Sequence, residues 1–313
     1  MKQRSIGATG LRGSQVGLGC NNFSWTIDEA RSQQVVDKAI DLGVNFFDVA
    51  EVYGDPRGRA EEILGAALGQ RRKDVIIVTK FGMSTDRSRG GRDSSRRSVI
   101  SSCEGSLKRL GTDYIDIYML HWADPATPIE ETLRALDDLV HQGKVRYIAC
   151  SNLKGWEVVD ALAVSQAKNL HSFVAAQNEY SLLMRTPEAE LIPALSAKGM
   201  SLLPYFPLAS GMLTGKFKRG STPADARLAS KANLGDRFLT EANYAAVERL
   251  EAFARERGHT VLELAFSWLA AQPVVGPIIA GASRADQLEQ NVKAVDWELS
   301  AEDLAAIDQA CTG

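Results

Sequence analysis

An apolar run that ends on a polar residue occurs three times in the first half of the chain: VNFFD at residues 44–48, VIIVTK at 75–80 and IDIYMLH at 115–121. Each run has the length and apolar content of a buried β-strand. When parallel strands close into a barrel, the residues at their carboxyl ends converge at one rim. We therefore expect the three terminal polar residues to lie close together.

The polar residues at these strand ends suit acid catalysis. Asp48, Lys80 and His121 end the three runs, and Tyr53 follows Asp48 by one short loop. A phenol beside an ammonium group is a plausible proton donor for reducing a carbonyl, because the ammonium favours the phenolate and lowers the pKa of the tyrosine. Each residue taken alone also has a structural explanation, such as a helix cap for Asp48 or a core imidazole for His121. Together they make the chain an enzyme candidate.

Strand and helix patterns alternate along the chain after a turn signal at residues 7–10, which predicts an N-terminal β-hairpin. We predict eight further strands, the first ending near residue 20 and the others at 44–48, 75–80, 115–120, 146–150, 173–177, 201–205 and 277–281. Helical spacing of apolar residues predicts helices at 28–42, 59–69, 95–110, 129–142, 155–168, 187–198, 241–257, 260–271, 284–294 and 300–310.

This alternation predicts an α/β protein with a closed (β/α)8 (TIM) barrel, an N-terminal β-hairpin and extra C-terminal helices. An open doubly wound sheet is the alternative. No Pro/Gly-rich linker interrupts the pattern, so residues 1–313 are expected to form a single domain. Two long loops, at 81–94 and 207–238, follow predicted strands. Loops of this length are usually functional, and we expect the second to order over a bound nucleotide.

The composition is that of a soluble globular protein. Hydrophobic residues make up 45%, charged residues 24%, and the net charge is −3, so nothing indicates binding to nucleic acid or to an anionic membrane. The four cysteines are far apart and the first residues do not resemble a signal peptide. We therefore expect reduced thiols and a cytoplasmic location.

Three familiar signatures fail. The run GLGCNN at 17–22 lacks the third glycine of a dinucleotide fingerprint, and GMLTGK at 211–216 is one residue short of a Walker A loop. The four histidines, at positions 121, 141, 171 and 259, show no metal-ligand spacing, so we expect no metal.

Seven segments, in order along nearly the whole chain, resemble the motifs of the aldo-keto reductase family. They are FDVAEVYG at 47–54, VTK at 78–80, YMLHW at 118–122, GKVRYIACSN at 143–152, QNEY at 177–180, YFPLASGMLTGK at 205–216, and IAGASR at 279–284 followed by Gln287 and Asn291. Phe206 departs from the pattern, because many relatives carry serine there.

The resemblance implies NADPH-dependent reduction of an aldehyde or ketone. Tyr53 would give a proton to the carbonyl oxygen while hydride arrives from the nicotinamide. Lys80, held by Asp48, would lower the pKa of Tyr53 from about 10. His121 would hydrogen-bond and orient the substrate carbonyl.

The resemblance also implies three groups of contacts to NADP(H). The nicotinamide would be bound through its carboxamide by Ser151, Asn152 and Gln177 and stacked on Tyr205. The pyrophosphate would lie along Pro207, Leu208, Ser210, Gly211 and Lys216. The adenosine end would meet Gly281, Ser283, Arg284, Gln287 and Asn291 at a helix N-terminus. A guanidinium there suits the 2′-phosphate, so NADP is favoured over NAD.

Two rival functions stay open. One is a redox-sensing regulatory subunit, because potassium-channel β subunits belong to the same family and keep a bound nucleotide. The other is a metal-dependent barrel isomerase or lyase, which the lack of a carboxylate and histidine set in the sequence disfavours. For a reductase, the partner is a small carbonyl compound in a pocket that we expect to be walled by Phe23, Trp25, Met83 and Trp122.

Overall fold

A parallel sheet of eight strands forms the centre of the fold. The computed structural model describes residues 1–86, 88, 90–220 and 232–312. Its strands are β1 Gln3–Ser5, β2 Arg12–Ser14, β3 Val16–Gly19, β4 Phe46–Asp48, β5 Ile76–Phe81, β6 Ile115–Leu120, β7 Val145–Ser151, β8 Phe173–Gln177, β9 Ser201–Leu202 and β10 Ile278–Gly281. The sheet order is β10-β3-β4-β5-β6-β7-β8-β9, and every neighbouring pair is parallel. The α/β class and the eight strands of the prediction are confirmed.

Backbone hydrogen bonds also connect the two ends of this order. The Leu202 N–H donates to the Val274 carbonyl at 2.8 Å, the Gly276 N–H to the Leu202 carbonyl at 2.9 Å, and the Ile279 N–H to the Pro204 carbonyl at 3.0 Å. Strand β9 is shorter than the predicted 201–205. Pro204 has no N–H to donate, although the Tyr205 N–H still donates to the Asn178 carbonyl at 3.1 Å.

Eleven α-helices are present in the described residues. They are α1 Glu29–Asp41, α2 Arg59–Leu68, α3 Arg96–Leu110, α4 Ile129–His141, α5 Gly155–Lys168, α6 Leu191–Ala197, α7 Ala232–Phe238, α8 Glu241–Glu256, α9 Val261–Ala271, α10 Ala285–Lys293 and α11 Ala301–Thr312. Consecutive helices from α1 to α6 pack side by side, and α11 packs on α8. Nine of them match predicted helices within two residues. The exceptions are α6 and α7.

The predicted helix 187–198 is broken in two. A 3-10 turn at Thr186–Ala189 precedes α6, and Glu190 between them has φ −140°, outside the helical range. Its carboxylate accepts a hydrogen bond from the Trp156 N–H at 2.7 Å at the start of α5. Gly155 lies so close that a Cβ there would be 2.7 Å from Glu190 Cγ. We infer that contact with the start of α5 causes the helix to break at Glu190.

The two long loops are only partly described. The segment after β5 carries an antiparallel bridge between Met83 and Arg92, while residues 87 and 89 lie outside the described residues. The segment after Pro207 contains a 3-10 helix at Ala209–Thr214 and the unpredicted α7. Residues 221–231, within the loop expected to order on nucleotide binding, lie outside the description.

The predicted hairpin is confirmed and packs against the inside of the sheet. Strands β1 and β2 pair antiparallel, with Gln3 opposite Ser14. Ile6, in the turn, belongs to a cluster drawn from alternate residues of the strands. A side chain at Gly17 would meet the Phe46 ring at 2.7 Å, so glycine there makes room for that ring. The buried cluster consists of Ile6, Phe46, Ile76, Val78, Ile117, Met119, Ala149, Ala175, Leu203 and Ile279. Burial of each large side chain stabilises the fold by about 1.5–3 kcal/mol.

Among the residues that the structure describes, no helix combines the length and the apolar character needed to span a membrane.

Candidate active site

A buried ion pair lies at the carboxyl ends of β4 and β5. Lys80 Nζ is 2.7 and 2.8 Å from the two carboxylate oxygens of Asp48 and donates to the Val49 carbonyl at 3.0 Å. The side chain of Lys80 is 0% exposed and that of Asp48 is 6% exposed. Parallel pairing places Asp48 opposite Val78, two residues before Lys80 on the same face of the sheet. The predicted convergence of these residues is thus observed.

Further contacts hold the ion pair in place. Gln177, at the end of β8, donates from Nε2 to Asp48 Oδ1 at 2.8 Å. Burial lowers the pKa of Lys80, but the charges of Asp48 and Tyr53, with hydrogen bonds to both, leave this pKa raised above its usual value. Lys80 is therefore an ammonium ion at neutral pH.

Tyr53 lies directly beside the ammonium. Lys80 Nζ is 5.2 Å from the centroid of the Tyr53 ring. Backbone bonds fix the position of the tyrosine: its N–H donates to the Ala50 carbonyl at 3.0 Å, and its carbonyl accepts from the Ala60 N–H at 3.2 Å. On the outer side, the Trp25 ring centroid is 5.7 Å away. Tyr53 is half-buried, and its ring lies beside both the Lys80 ammonium and the Trp25 ring.

His121 faces Tyr53 from the end of β6. The two rings are 6.0 Å apart and meet edge to face. Burial, followed by the charges of Lys80 and Arg57, lowers the pKa of His121 to about 3, so the imidazole is neutral at ordinary pH. Its Nδ1 is buried and has no hydrogen-bond partner in the described part of the chain. A neutral imidazole with an unsatisfied nitrogen can bind a polar group of a ligand.

Ser151, Asn152, Gln177 and Tyr205 form one hydrogen-bonded group next to this cluster. The Ser151 hydroxyl donates to the Gln177 carbonyl at 2.7 Å, and Asn152 Nδ2 donates to the Ser151 hydroxyl at 3.0 Å. The Tyr205 hydroxyl donates to Asn152 Oδ1 at 2.8 Å. Mainly through burial, the pKa of Tyr205 is raised to about 12, so this phenol stays protonated. The amide of Asn152 therefore has a fixed orientation.

The segment after Tyr205 has an unusual backbone. Phe206, Ala209 and Ser210 have φ values of 52°, 46° and 55°, in the left-handed region that residues with a Cβ rarely adopt. The Ser210 hydroxyl is buried and has no hydrogen-bond partner among the described residues. Pro207 is buried, Leu208 is half-buried, and Lys216, at the end of the segment, is exposed. Such strain and unsatisfied polarity are typical of ligand-binding segments.

The five residues predicted for the adenosine end extend from the last residue of β10, Gly281, to Asn291 in the last turn of α10. Gln287 Oε1 accepts from the Ser283 N–H at 2.9 Å and from its hydroxyl at 3.0 Å. Arg284 binds the carboxylate of Asp286 through Nε at 3.0 Å and Nη2 at 3.1 Å. Asn291 is buried, whereas Gly281 is exposed at the end of β10.

Several residues at this rim are not among the predicted site residues. Asn21 and Asn22 follow β3, and a Cβ on Gly281 would be 3.2 Å from Asn22 Nδ2. Their position directly after a strand is the same signal that found Asp48. Glu51 is buried and bound to Arg57 at 2.9 Å. Burial raises the pKa of Glu51 although Arg57 opposes that effect.

The prediction that Phe23 lines the substrate pocket is wrong. Phe23 is 0% exposed and packs with Leu18 and Ile27 in an apolar cluster, because the loop folds back in a bridge between Phe23 and Ile27. Trp25 is 47% exposed beside Tyr53.

Known proteins resemble this chain over nearly its full length. The model of the Aldo/keto reductase family matches residues 15–311. A probable voltage-gated potassium channel subunit beta of Oryza sativa is 37% identical over 305 residues, which cover 95% of this chain and 92% of that protein. L-glyceraldehyde 3-phosphate reductase of Escherichia coli (strain K12) is 35% identical over 99% of this chain and 92% of its own length. Versiconal hemiacetal acetate reductase of Aspergillus parasiticus is 31% identical over 99% and 96%. These matches support an oxidoreductase. The chain belongs to the aldo/keto reductase family.

Proposed function

We propose that this protein reduces an aldehyde or ketone to an alcohol with NADPH, and that Tyr53 is the general acid. The observation that carries the proposal is the buried Lys80 ammonium, which is bound to Asp48 at 2.7 Å and lies 5.2 Å from the centre of the Tyr53 ring. A cation beside a phenol favours its deprotonation, and we expect it to bring the pKa of Tyr53 closer to neutral pH.

The side chains divide the work of carbonyl reduction. A reduced nicotinamide, when bound, supplies hydride to the carbonyl carbon. Tyr53 gives its proton to the carbonyl oxygen, and the nearby Lys80 ammonium stabilises the phenolate that results. His121 is neutral, since its pKa is lowered to about 3, and acts as a hydrogen-bond donor that orients the carbonyl. Asp48 and Gln177 keep the ammonium in place.

The residues around the site fit a dinucleotide. Ser151, Asn152 and Gln177 offer neutral amide and hydroxyl groups at adjacent strand ends, as a carboxamide requires. The buried Ser210 hydroxyl has no partner in the described part of the chain, and the strained backbone around it suits a pyrophosphate. We propose that Tyr205 stacks on the nicotinamide and that the residues from 207 to 216 line the pyrophosphate.

We further propose that NADP is preferred over NAD through Arg284. Its guanidinium lies at the start of α10 and already binds the carboxylate of Asp286, an arrangement that holds the cation at the helix end. We expect Arg284→Ala to weaken NADPH binding by about 1–3 kcal/mol and NADH binding hardly at all, as measured by fluorescence titration. Lys293→Ala, an exposed cation at the other end of α10, is the control. Equal losses for both nucleotides would show that Arg284 does not read the 2′-phosphate.

Three structural proposals accompany the function. The hydrogen bonds between β9 and the segment 274–279 support a closed barrel. The sheet takes strands from residue 16 to residue 281 without interruption, which supports a single domain. The free thiols of Cys20, Cys103 and Cys150, all buried, support a reducing location such as the cytoplasm.

A substrate screen tests the proposal directly. The purified protein is supplied with NADPH and a series of aldehydes and ketones, beginning with L-glyceraldehyde 3-phosphate because a relative is named for its reduction. We expect steady NADPH oxidation that a chelator does not inhibit. Tight NADPH binding without turnover of any carbonyl compound would instead support the second candidate, a regulatory subunit like the plant channel relatives. Inhibition by a chelator would support a metal-dependent reaction.

A further inference from the structure

A second cluster of titratable groups lies at the opposite end of the sheet from Tyr53. Asp137 and His141 are one turn apart near the end of α4, and His171 lies two residues before β8 begins. Gln177 at the far end of β8 belongs to the candidate active site, and the strand between them spans about 20 Å. Among the described residues, this is the group of carboxylate and imidazole side chains whose ligand atoms come within reach of a single ion.

The donor atoms of the cluster are already close together. His171 Nδ1 is 2.6 Å from Asp137 Oδ1, and His141 Nδ1 is 3.3 Å from Asp137 Oδ2. The two imidazole rings are 5.2 Å apart. One ligand atom from each residue lies within 4.8 Å of the others. Ligands of a tetrahedral zinc ion are about 3.4 Å apart, as follows from bonds of about 2.1 Å, so small side-chain rotations suffice.

The surroundings hold the carboxylate while leaving the imidazoles accessible. The His171 backbone N–H donates to Asp137 Oδ1 at 2.9 Å, and the side chain of Asp137 is only 13% exposed. The side chains of His141 and His171 are 68% and 47% exposed. A bound cation would replace the contact between His171 Nδ1 and the Asp137 carboxylate. A hydrogen-bonded carboxylate beside two open imidazoles is the arrangement that metal sites use.

We propose that Asp137, His141 and His171 bind one zinc ion, with water in the remaining coordination position. Two imidazoles and a carboxylate are a ligand set that zinc uses in proteins, whereas magnesium and calcium prefer oxygen ligands alone. The ion links α4 to the segment before β8. It stabilises the fold at the amino ends of the strands and takes no part in carbonyl reduction.

Calorimetric titration of the full-length protein with zinc chloride tests this site without reference to any enzymatic activity. We expect one bound ion per chain and a rise in melting temperature on zinc addition. The variants His141→Ala and His171→Ala should each bind zinc at least about 100-fold more weakly and lose the rise in melting temperature. His259→Ala is the matched control, because His259 also lies beside a carboxylate, that of Glu263 at 3.5 Å, but belongs to no such cluster among the described residues.

Cobalt, used as a spectroscopic probe, distinguishes this site from a thiol site at the partly exposed Cys311. We expect the spectrum of a nitrogen and oxygen site without thiolate absorption. The proposal is overturned if the wild-type protein binds no zinc at millimolar concentration, if the double variant His141→Ala/His171→Ala binds it as tightly as the wild type, or if cobalt shows thiolate coordination.

Discussion

The two halves of the candidate active site are prepared in different ways. The half that holds Asp48, Lys80 and Gln177 sits on strand ends, and hydrogen bonds of 2.7–3.0 Å connect its charged groups. The segment 206–216 has left-handed backbone at several residues, and its Ser210 hydroxyl is buried without a partner in the described residues. The charged groups of the first half are bonded to one another within the protein, whereas the Ser210 hydroxyl of the second half has no hydrogen-bond partner among the described residues.

This difference indicates which protein groups would gain interactions from a bound ligand. A buried ion pair must be satisfied within the protein, because an unpaired charge in the interior is costly. Backbone strain and an unsatisfied hydroxyl cost less free energy than an unpaired buried charge, and contacts to a bound nucleotide can offset that cost. We therefore expect substitutions in the first half to affect chemistry and folding, and those in the second half to affect nucleotide affinity.

Loss of the Tyr53 hydroxyl should have the largest effect. Tyr53→Phe keeps the ring between Trp25 and His121 but removes the proposed proton donor. We expect carbonyl reduction to fall by about 10²–10⁴-fold while NADPH affinity is unchanged. Steady-state rates and nucleotide titration measure the two quantities, with Tyr114→Phe, which is remote from the site, as control. Reduction at the parental rate would show that Tyr53 is not the acid.

Breaking the buried ion pair should come next. Lys80→Met leaves the Asp48 carboxylate in the interior without its cation, so we expect the free energy of unfolding to fall by about 3–5 kcal/mol. The double variant Asp48→Asn/Lys80→Met removes both charges and should lose less than the sum of the single variants. Urea unfolding of the wild type, the single variants Asp48→Asn and Lys80→Met, and the double variant measures the coupling energy between the two residues. Additive losses would contradict a tightly coupled pair.

His121 should make stability depend on pH. Its pKa is lowered from 6.5 to about 3 in the folded protein, so between these values the unfolded chain binds a proton that the folded chain does not. The contribution of His121 to the free energy of unfolding should therefore decrease as the pH falls below about 6.5, by about 1.4 kcal/mol per pH unit. Comparison of the wild type with His121→Gln at several pH values isolates this effect. A difference that is constant over this range would mean that His121 titrates normally.

Ser210→Ala should have the smallest effect of the four changes. The effect should be on NADPH affinity and not on the stability of the free protein. The free protein loses no hydrogen bond, so its free energy of unfolding should not decrease. NADPH binding should weaken by about 0.5–1.5 kcal/mol if the hydroxyl contacts the pyrophosphate. Ser165→Ala is the matched control, since that hydroxyl is also buried without a partner in the described chain but lies on α5. Weakening in both variants would exclude a specific contact.

The bounds of strands and helices that depend on local periodicity were predicted most accurately from the sequence. Strands β6 and β8 and helix α5 have the predicted bounds. Parallel pairing aligns strand ends, and it places Ser151 at the end of β7 beside Gln177 at the end of β8. The break at Glu190 was not predictable, since it depends on contact with Gly155 from another helix.

Contacts distant in sequence account for the other omissions. Asp137 and His141 have the spacing of neighbours on a helix, which is a readable signal, but His171 joins them only through the packing of the β7–β8 connection. Similarly, no local pattern shows that the Tyr205 hydroxyl fixes the amide of Asn152.

The apolar interior of the sheet has a consequence for proton supply. Ile6 of the hairpin, Phe46 and Val78 are buried in one apolar cluster on the amino-terminal side of Lys80. If Tyr53 is the acid, as we propose, we expect each proton that it releases to be replaced from the side of Trp25 and His121. The residues at this entrance, rather than those of the interior, should determine how quickly the phenol recovers its proton between turnovers.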